Sequence, residues 1–269
     1  MNKRRDAVLG LLGIERWSPN ADAGAKPLTD AALPIAPAPA AVVPIVAVSP
    51  PAPLRAVAAP ASSPTPKVDM PAFEVSSDWP TLREQVAGCR RCKLCETRTH
   101  TVFGVGHEAS PLMVVGEGPG ADEDASGQPF VGRAGKLLDE MLKAIDRSRA
   151  VDAPAGMGNV FIANVVKCRP PGNRDPEKDE VEACRQYLDA QIAHVRPKLI
   201  VALGRIAAQR LLSSDEPLSR LRGPLHRYGP TQTPVFVTYH PAYLLRSPKE
   251  KAKSWEDLKK IAQHLKAHG

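Results

Sequence analysis

Short apolar runs alternate with amphipathic helical patterns between residues 111 and 268, and this alternation constrains the fold more than any other feature. The apolar runs are LMVVG, NVFIANVVKC, KLIVALG and PVFVTYHP, and the helical patterns are KLLDEMLKAI, DPEKDEVEACRQYLDAQIAHV, RIAAQRLL and KEKAKSWEDLKKIAQHLKAH. Strands that alternate with helices form a largely parallel sheet with helices on both faces. The sequence therefore predicts an α/β fold with a short, largely parallel central sheet.

Polar or glycine-rich signatures follow three of these predicted strands, namely GEGPG, ANVVKC and YHPAYLLR. Ligands of open α/β sheets bind beyond the carboxyl ends of the strands. We therefore expect the functional site where these three segments meet.

The N-terminal region has a different composition. Of the 28 prolines, 14 fall between Pro19 and Pro80, among many Ala and Val residues. Such a segment cannot bury enough surface to offset its chain entropy. We predict a disordered, flexible linker over 18–80 that joins a short amphipathic segment, 1–17, with a possible protein partner, to one catalytic domain, 81–269.

The formal charge of +7 belongs to the predicted domain, because residues 1–80 contain equal numbers of basic and acidic side chains. A basic excess indicates a polyanionic partner, although an ordinary basic surface has the same signature.

No apolar stretch approaches the roughly 20 residues that cross a bilayer, so no membrane association is expected. The N-terminus lacks a cleavage site for export, and its apolar run is followed by Glu15 and Arg16. Five cysteines without an export signal indicate a reducing, cytoplasmic location, where clustered thiols bind metal or act in catalysis.

Four cysteines are candidate metal ligands. Cys89 and Cys92 form a C-x2-C pair, and fifteen residues lie between Cys168 and Cys184. Four thiolates suit either a closed zinc site or an iron-sulfur cluster, and the spacing does not separate the two. Alternatively, Cys168 and Cys184 are plain buried thiols. Cys95 is interpreted as the spare cysteine.

Three separated segments, GEGPGADEDASGQPFVGRAG, NVVKCRPPGNRDP and HPAYLLR, resemble in their order the motifs of the type 4 uracil-DNA glycosylases, the iron-sulfur branch of that superfamily. The resemblance covers roughly residues 84–265. It implies a compact α/β three-layer sandwich, a substrate of uracil-containing DNA in single- or double-stranded form, and a monomer. It also implies that Cys89, Cys92, Cys168 and Cys184 hold a structural [4Fe-4S] cluster.

Uracil excision requires the nucleotide to be flipped into a pocket that reads its edge. The resemblance makes Phe130 the stacking platform and Asn164 the residue that separates uracil from cytosine. His240 is the expected catalytic donor to uracil O2, since charge builds on the departing base. For each residue a packing role is the alternative.

The first motif supplies further expected substrate contacts, at Glu117, Gly118 and Pro119. Gly118 stands where the better-known branch of the superfamily has a water-positioning aspartate, so no side chain there can hold water. Glu117 and Glu123 are the candidates for that catalytic task, and backbone carbonyls are the alternative. Glu123 is also the candidate for excluding the methyl group of thymine.

Contacts with the DNA backbone and the vacated base stack are expected from four residues. Leu244 is predicted to fill the stack while Arg246 holds phosphate, and Lys167 and Arg169 offer further phosphate contacts. The leading interpretation is a monofunctional DNA-repair glycosylase, a hydrolase that leaves an abasic site. The alternative is a uracil-DNA binding or covalent trapping protein of the same superfamily.

Overall fold

A computed structural model of the protein describes residues 74–150, 152, 155–229 and 231–268. The predicted segment 1–17 and most of the predicted linker 18–80 lie outside these residues. The first described helix begins at Trp79, two residues before the predicted start of the domain.

The described residues form seven strands and eight α-helices. The strands are β1 (Val105–Gly106), β2 (Leu112–Gly116), β3 (Arg147–Ser148), β4 (Gly158–Asn164), β5 (Leu199–Leu203), β6 (His226–Tyr228) and β7 (Thr233–Thr238). The helices are α1 (Trp79–Ala87), α2 (Ala121–Ser126), α3 (Arg133–Lys143), α4 (Lys178–Val195), α5 (Arg205–Leu212), α6 (Leu218–Leu221), α7 (Pro241–Arg246) and α8 (Lys251–His268). Short 3-10 turns span Lys93–Glu96, Pro171–Asn173 and Pro248–Glu250.

The strands form one sheet in the order β1-β4-β2-β5-β7-β6, and β3 pairs with β4. The pairs β2·β4, β2·β5, β5·β7 and β3·β4 are parallel, whereas β1 and β6 run antiparallel to their neighbours. The predicted parallel sheet is therefore confirmed, and two antiparallel edge strands are added to it.

The sheet is covered on both faces, because alternate residues of its buried strands point to opposite sides. On one face, Val114, Ile162 and Val201 share a buried cluster with α3 and α8. Residues of the opposite set, such as Phe161 and Ala202, are equally buried, and α4 and α5 pack against β4 and β5 respectively. This arrangement is the predicted three-layer sandwich.

Four parallel strands, β2, β4, β5 and β7, end at the same edge of the sheet. The predicted second strand extends to Cys168, but β4 ends at Asn164. After that residue the N–H groups of Val165 and Val166 donate to the carbonyls of Gly116 (2.9 Å) and Glu117 (3.1 Å). The loop after β4 is therefore bonded to the loop after β2, which brings two of the three sequence signatures together.

The longest helices, α4 and α8, are amphipathic and each has 18 residues. Within the described part of the chain, neither these nor the shorter helices combine the length and apolar character that a membrane span requires.

Candidate active site

A cleft of about 390 Å³ opens beyond the carboxyl ends of β2, β4 and β7. Its lining includes every residue that the sequence predicts to contact substrate, namely Glu117, Gly118, Pro119, Phe130, Asn164 and His240. Glu123 and Arg246 also line it. The fold thus brings residues from distant parts of the chain into one cavity.

Asn164 presents an unpaired acceptor to this cleft. Its side chain is 1% exposed, and its Oδ1 atom has no hydrogen-bond partner. In the register of the parallel strands Asn164 lies beside Gly116. A side chain at Gly116 would clash with Oδ1 of Asn164 and with the ring of Phe130. A buried acceptor without a donor costs free energy, so a ligand N–H is its natural partner.

Phe130 forms a second wall of the cleft in a constrained backbone conformation. Its φ angle is +55°, in the left-handed region that non-glycine residues seldom adopt. Arg149 holds this turn, because its guanidinium donates to the carbonyls of Pro129 and Phe130 at 2.7 Å each and to the carboxylate of Asp139. Gly135 permits the approach, since a Cβ atom there would clash with the carbonyl of Phe130.

His240 follows β7 and caps the first turn of α7. Its Nδ1 accepts the N–H of Ala242 at 3.2 Å, so the proton of the neutral ring lies on Nε2. Burial and the charge of Arg246 lower the pKa of His240 to about 4, against a smaller opposing effect of Glu123. The ring is therefore neutral at pH 7, lies 5.5 Å from the Phe130 ring between centroids, and can offer an Nε2–H donor.

The strand that leads to His240 is fixed by a buried polar network. The Thr238 hydroxyl donates to Asp257 Oδ2 at 2.7 Å, and Arg222 Nε donates to the same oxygen at 2.7 Å. Gly204 makes room beside the histidine, because a Cβ atom there would lie 3.1 Å from the Cβ of His240.

Glu117 has an altered proton affinity. Burial and the negative charge of Asp175 raise the pKa of Glu117 to about 7, partly opposed by Arg205, and a hydrogen bond with Asp175 also raises it. Asp175 in turn accepts from Arg205 Nη2 at 2.6 Å. The carboxyl groups of Glu117 and Asp175 therefore line the same cleft and influence each other electrostatically.

The carboxylate of Glu123 accepts hydrogen bonds from the backbone. Its Oε2 accepts the N–H of Gly120 at 3.1 Å, and its Oε1 accepts the N–H groups of Val131 (2.9 Å) and Gly132 (3.1 Å). The carboxylate thus joins the loop after β2 to the turn that carries Phe130. Both oxygens of the Glu123 carboxylate are therefore occupied by backbone donors.

The predicted phosphate contact of Lys167 is wrong. The residue is only 1% exposed, because β4 ends earlier than predicted and the following loop turns inward. Its ammonium group donates to the carbonyl of Asn164 at 2.8 Å and to Gln191 Oε1 at 2.6 Å.

The predicted insertion of Leu244 into the base stack is also wrong. Leu244 is 1% exposed and packs in the core with α3, because it lies on the inward face of α7. Tyr243 on the outward face is 37% exposed, lines the cleft and stacks on Tyr239 at 5.3 Å between ring centroids. Arg246 is exposed, and Arg169 is half-buried with its Nε bonded to Asn173 Oδ1 at 2.7 Å.

All five cysteines line a second, smaller cavity between α1, the loop after β4 and α4. Cys168 and Cys184 are buried, the others are half-buried, and none forms a disulfide. Cys95 lies in the same cavity as the four predicted ligands, so its position does not mark it as spare. Within the described ranges, no three Cys, His, Asp or Glu side chains form a group that could hold a metal ion.

Two sulfur atoms of this cavity nevertheless accept hydrogen bonds. Arg98 Nη1 donates to Cys168 Sγ at 3.0 Å, and the N–H of Lys167 donates to Cys184 Sγ at 3.3 Å. Arg98 also donates to the carbonyl of Cys89 at 2.7 Å. Burial raises the pKa of Cys168 and of Cys184, and these hydrogen-bond donors, with the Arg98 and Lys167 cations, partly oppose that effect.

Two residues of the cleft region escape the sequence analysis. Asp175 lies inside the NRDP segment, and its proximity to Glu117 depends on tertiary structure. Arg149 has no sequence signal, because it lies nineteen residues from the carbonyl of Phe130 that it holds.

Comparison with known families adds a second line of information. The sequence model of the uracil DNA glycosylase superfamily matches residues 103–262. This range contains the whole cleft and two of the five cysteines, Cys168 and Cys184.

Several curated proteins are similar over most of their length. The type-4 uracil-DNA glycosylase of Sulfurisphaera tokodaii is 44% identical over 188 residues, which are 68% of this chain and 82% of that protein. The protein of the same name from Archaeoglobus fulgidus is 43% identical, over 66% of this chain and 89% of its own. That from Thermotoga maritima is 40% identical, over 70% and 95%.

Proposed function

The chain belongs to the uracil-DNA glycosylase superfamily and, within it, to the type-4 enzymes, and from this membership we propose that it hydrolyses the bond between uracil and deoxyribose in DNA. It is a DNA-repair hydrolase whose product is an abasic site. The proposal includes the expected monomeric state and action on single- or double-stranded DNA. A cytoplasmic location remains an expectation that depends on the clustered thiols.

The unpaired Oδ1 of Asn164 is the observation that carries this proposal. Uracil presents an N3–H donor and an O4 acceptor, which match the oxygen and the NH₂ group of an asparagine amide. Cytosine presents an acceptor at N3 and a donor at N4, so it would leave the amide unpaired on both sides. Phe130 supplies the surface on which the flipped base stacks.

His240 stabilises the leaving base. As the bond between C1' and N1 breaks, its electron pair passes to uracil, and negative charge spreads to O2. The neutral Nε2–H of His240 donates to that oxygen, an interaction that strengthens toward the transition state. Because the ring is held by Ala242, the donor is aimed before substrate arrives.

Glu117 directs the attacking water. Gly118 has no side chain for that task, whereas the Glu117 carboxyl lies in the cleft beside Asp175. The water oxygen forms the new bond to C1', and a water proton passes to the ionised carboxylate. Glu123 aligns the loops around this site through its three backbone contacts.

DNA contacts are assigned to the exposed rim of the cleft. Arg246 and Arg169 are proposed to bind phosphates, and Tyr243 replaces Leu244 as the side chain proposed to enter the base stack. An aromatic ring can fill a vacated position in the stack by the same contacts that bases make.

The cysteine cavity fits a [4Fe-4S] cluster by its donor set of soft sulfur ligands, its buried position and its hydrogen bonds to sulfur. Cys89, Cys92, Cys168 and Cys184 would hold it. When bound, the cluster would cross-link segments of the chain, and it would take no part in the hydrolysis. Its ligands would join the chain after α1 to the loop after β4 and to α4.

The direct test is incubation of the full chain with a uracil-containing oligonucleotide, followed by alkali, which cleaves at abasic sites. We expect cleavage by wild type and by His268→Ala, an exposed control, and a loss of at least about 100-fold in His240→Ala. Equal activity of His240→Ala would contradict the assigned role. A DNA complex that survives denaturation, without turnover, would show the trapping function instead.

A further inference from the structure

Lys167 is a buried cation that the proposed reaction does not use. Its ammonium donates to the Asn164 carbonyl and to Gln191, and Gln191 is itself fully buried, with Nε2 bonded to the carbonyl of Phe103 at 2.9 Å. No carboxylate forms an ion pair with Lys167 among the described residues. A buried charge without a counter-charge is strongly destabilising, so a negative group nearby would stabilise the ammonium form of Lys167.

The cysteine cavity supplies that negative group. Lys167 lines this cavity, its main-chain N–H donates to Cys184 Sγ at 3.3 Å, and Cys168 follows it in sequence. Metal-bound cysteines are deprotonated, and four thiolates outweigh the positive iron-sulfur core, so the loaded site is an anion. Arg98 contacts the same set of thiols through Cys168.

The ammonium group of Lys167 contacts the backbone of a residue that lines the uracil pocket. Its ammonium holds the main-chain carbonyl of Asn164 at 2.8 Å, and the side chain of that residue presents the unpaired Oδ1 to the cleft. Asn164 is the last residue of β4, and the N–H groups of Val165 and Val166 bind the backbone after it to Gly116 and Glu117. The lysine contact therefore completes the support of the residue that reads the base.

We propose that Lys167 is a positioning residue that couples the occupancy of the cysteine site to the geometry of the uracil pocket. The loaded thiolate site holds the ammonium by charge, and the ammonium holds Asn164. Loss of the metal group leaves Lys167 without a counter-charge, and the Asn164 backbone then relaxes. The inference rests on the proposed function, because it takes Asn164 as the residue that reads uracil.

The first experiment measures metal retention, which does not depend on activity. Iron content and visible absorption are followed during incubation of the full chain with a chelator. We expect Lys167→Met to lose iron at least about threefold faster than wild type and than Lys259→Met, a control at a half-exposed lysine of α8. Iron loss at the wild-type rate would overturn the proposal.

The second experiment is a double-mutant cycle on uracil excision with iron-loaded protein, because a pair that acts as a unit shows non-additive effects. We expect Lys167→Met to lower kcat/KM at least about fivefold in the wild-type background and to have almost no effect in Asn164→Ala. Independent, multiplicative losses would overturn the coupling between Lys167 and Asn164.

A third variant keeps the test decisive should Lys167→Met fail to fold. Gln191→Glu gives the ammonium a local carboxylate in place of a neutral amide, so it weakens the attraction between Lys167 and the thiolates. Faster iron loss is expected, and unchanged retention would count against the proposal. An inactive wild-type protein would overturn the proposed function, while the iron-loss comparison would still decide the role of Lys167.

Discussion

The protonation state of the Glu117 carboxyl group matters most for the proposed reaction. With the pKa of Glu117 raised to about 7 by burial and by Asp175, about half of the molecules are protonated at neutral pH. Only the ionised form can accept a proton from water. His240 remains neutral far below this range, since its pKa is lowered to about 4. The acid limb of the pH profile therefore belongs to Glu117.

Replacement of Asp175 tests this assignment. We expect kcat/KM of wild type to rise with pH through about 7. Asp175→Asn removes the neighbouring negative charge, so the pKa of Glu117 falls and the limb moves to lower pH. The movement is partial because burial, the larger cause, remains. The measurement is a pH–rate profile with a uracil oligonucleotide.

An exposed aspartate outside the cleft provides the control for this profile. Asp215→Asn is expected to keep the wild-type limb. A limb that stays near 7 in Asp175→Asn, or that persists in Glu117→Gln, would show that another group titrates.

Two adjacent residues of the short helix α7 have different roles: Leu244 contributes to stability, and Tyr243 to the proposed DNA contact. Leu244 packs inward in the core with α3, whereas Tyr243 faces outward at the rim of the cleft. Leu244→Ala should therefore lower the free energy of unfolding by about 2–5 kcal/mol, as for other buried leucines. Tyr243→Ala should lower the free energy of unfolding by less, about 0.5–1.5 kcal/mol, because it loses the stacking contact with Tyr239.

In activity assays the order should reverse, so that Tyr243→Ala has the larger effect on kcat/KM for duplex DNA. Tyr243→Ala is expected to lower kcat/KM on duplex DNA more than on single strands, because only the duplex has a stack to be filled. Urea unfolding and paired assays on both substrates check this. Wild-type activity of Tyr243→Ala on duplex DNA would remove Tyr243 from the role of wedge.

The same helix shows what sequence patterns reveal and what they leave out. Hydrophobic periodicity is sufficient for β2, β5, α4 and α8, which each have a regular apolar face or a fully buried run. Periodicity fails for Leu244 and Lys167. Leu244 lies two residues before an arginine and Lys167 lies next to a cysteine, and such residues are predicted to be exposed when the inward face of the segment is unknown. The strand ends indicated where the cleft lies, and the resemblance to the type 4 enzymes implied its individual residues. Arg149 was not predictable because its partners are distant in sequence.

At the scale of the whole molecule, the cysteine cavity joins segments that the sheet does not connect. Cys89 and Cys92 follow α1, Cys168 lies after β4, and Cys184 lies within α4. Ligands that are brought together only by folding convert binding free energy into folding free energy. The proposed metal group should therefore stabilise the packing of α1 against the rest of the domain, as well as the pocket that α4 and the loop after β4 support.

Single serine substitutions distinguish ligands from the fifth cysteine. We expect Cys184→Ser to lose iron and to lower Tm by roughly 5 °C or more, because an oxygen ligand replaces a thiolate in a buried site. Cys95→Ser should keep wild-type iron content and Tm, since the four predicted ligands suffice. Iron analysis and thermal unfolding under anaerobic conditions provide both readouts. Equal iron loss in both variants would place Cys95 among the ligands. Zinc in place of iron in the wild-type protein would contradict the proposed cluster but would agree with a site of four thiolates.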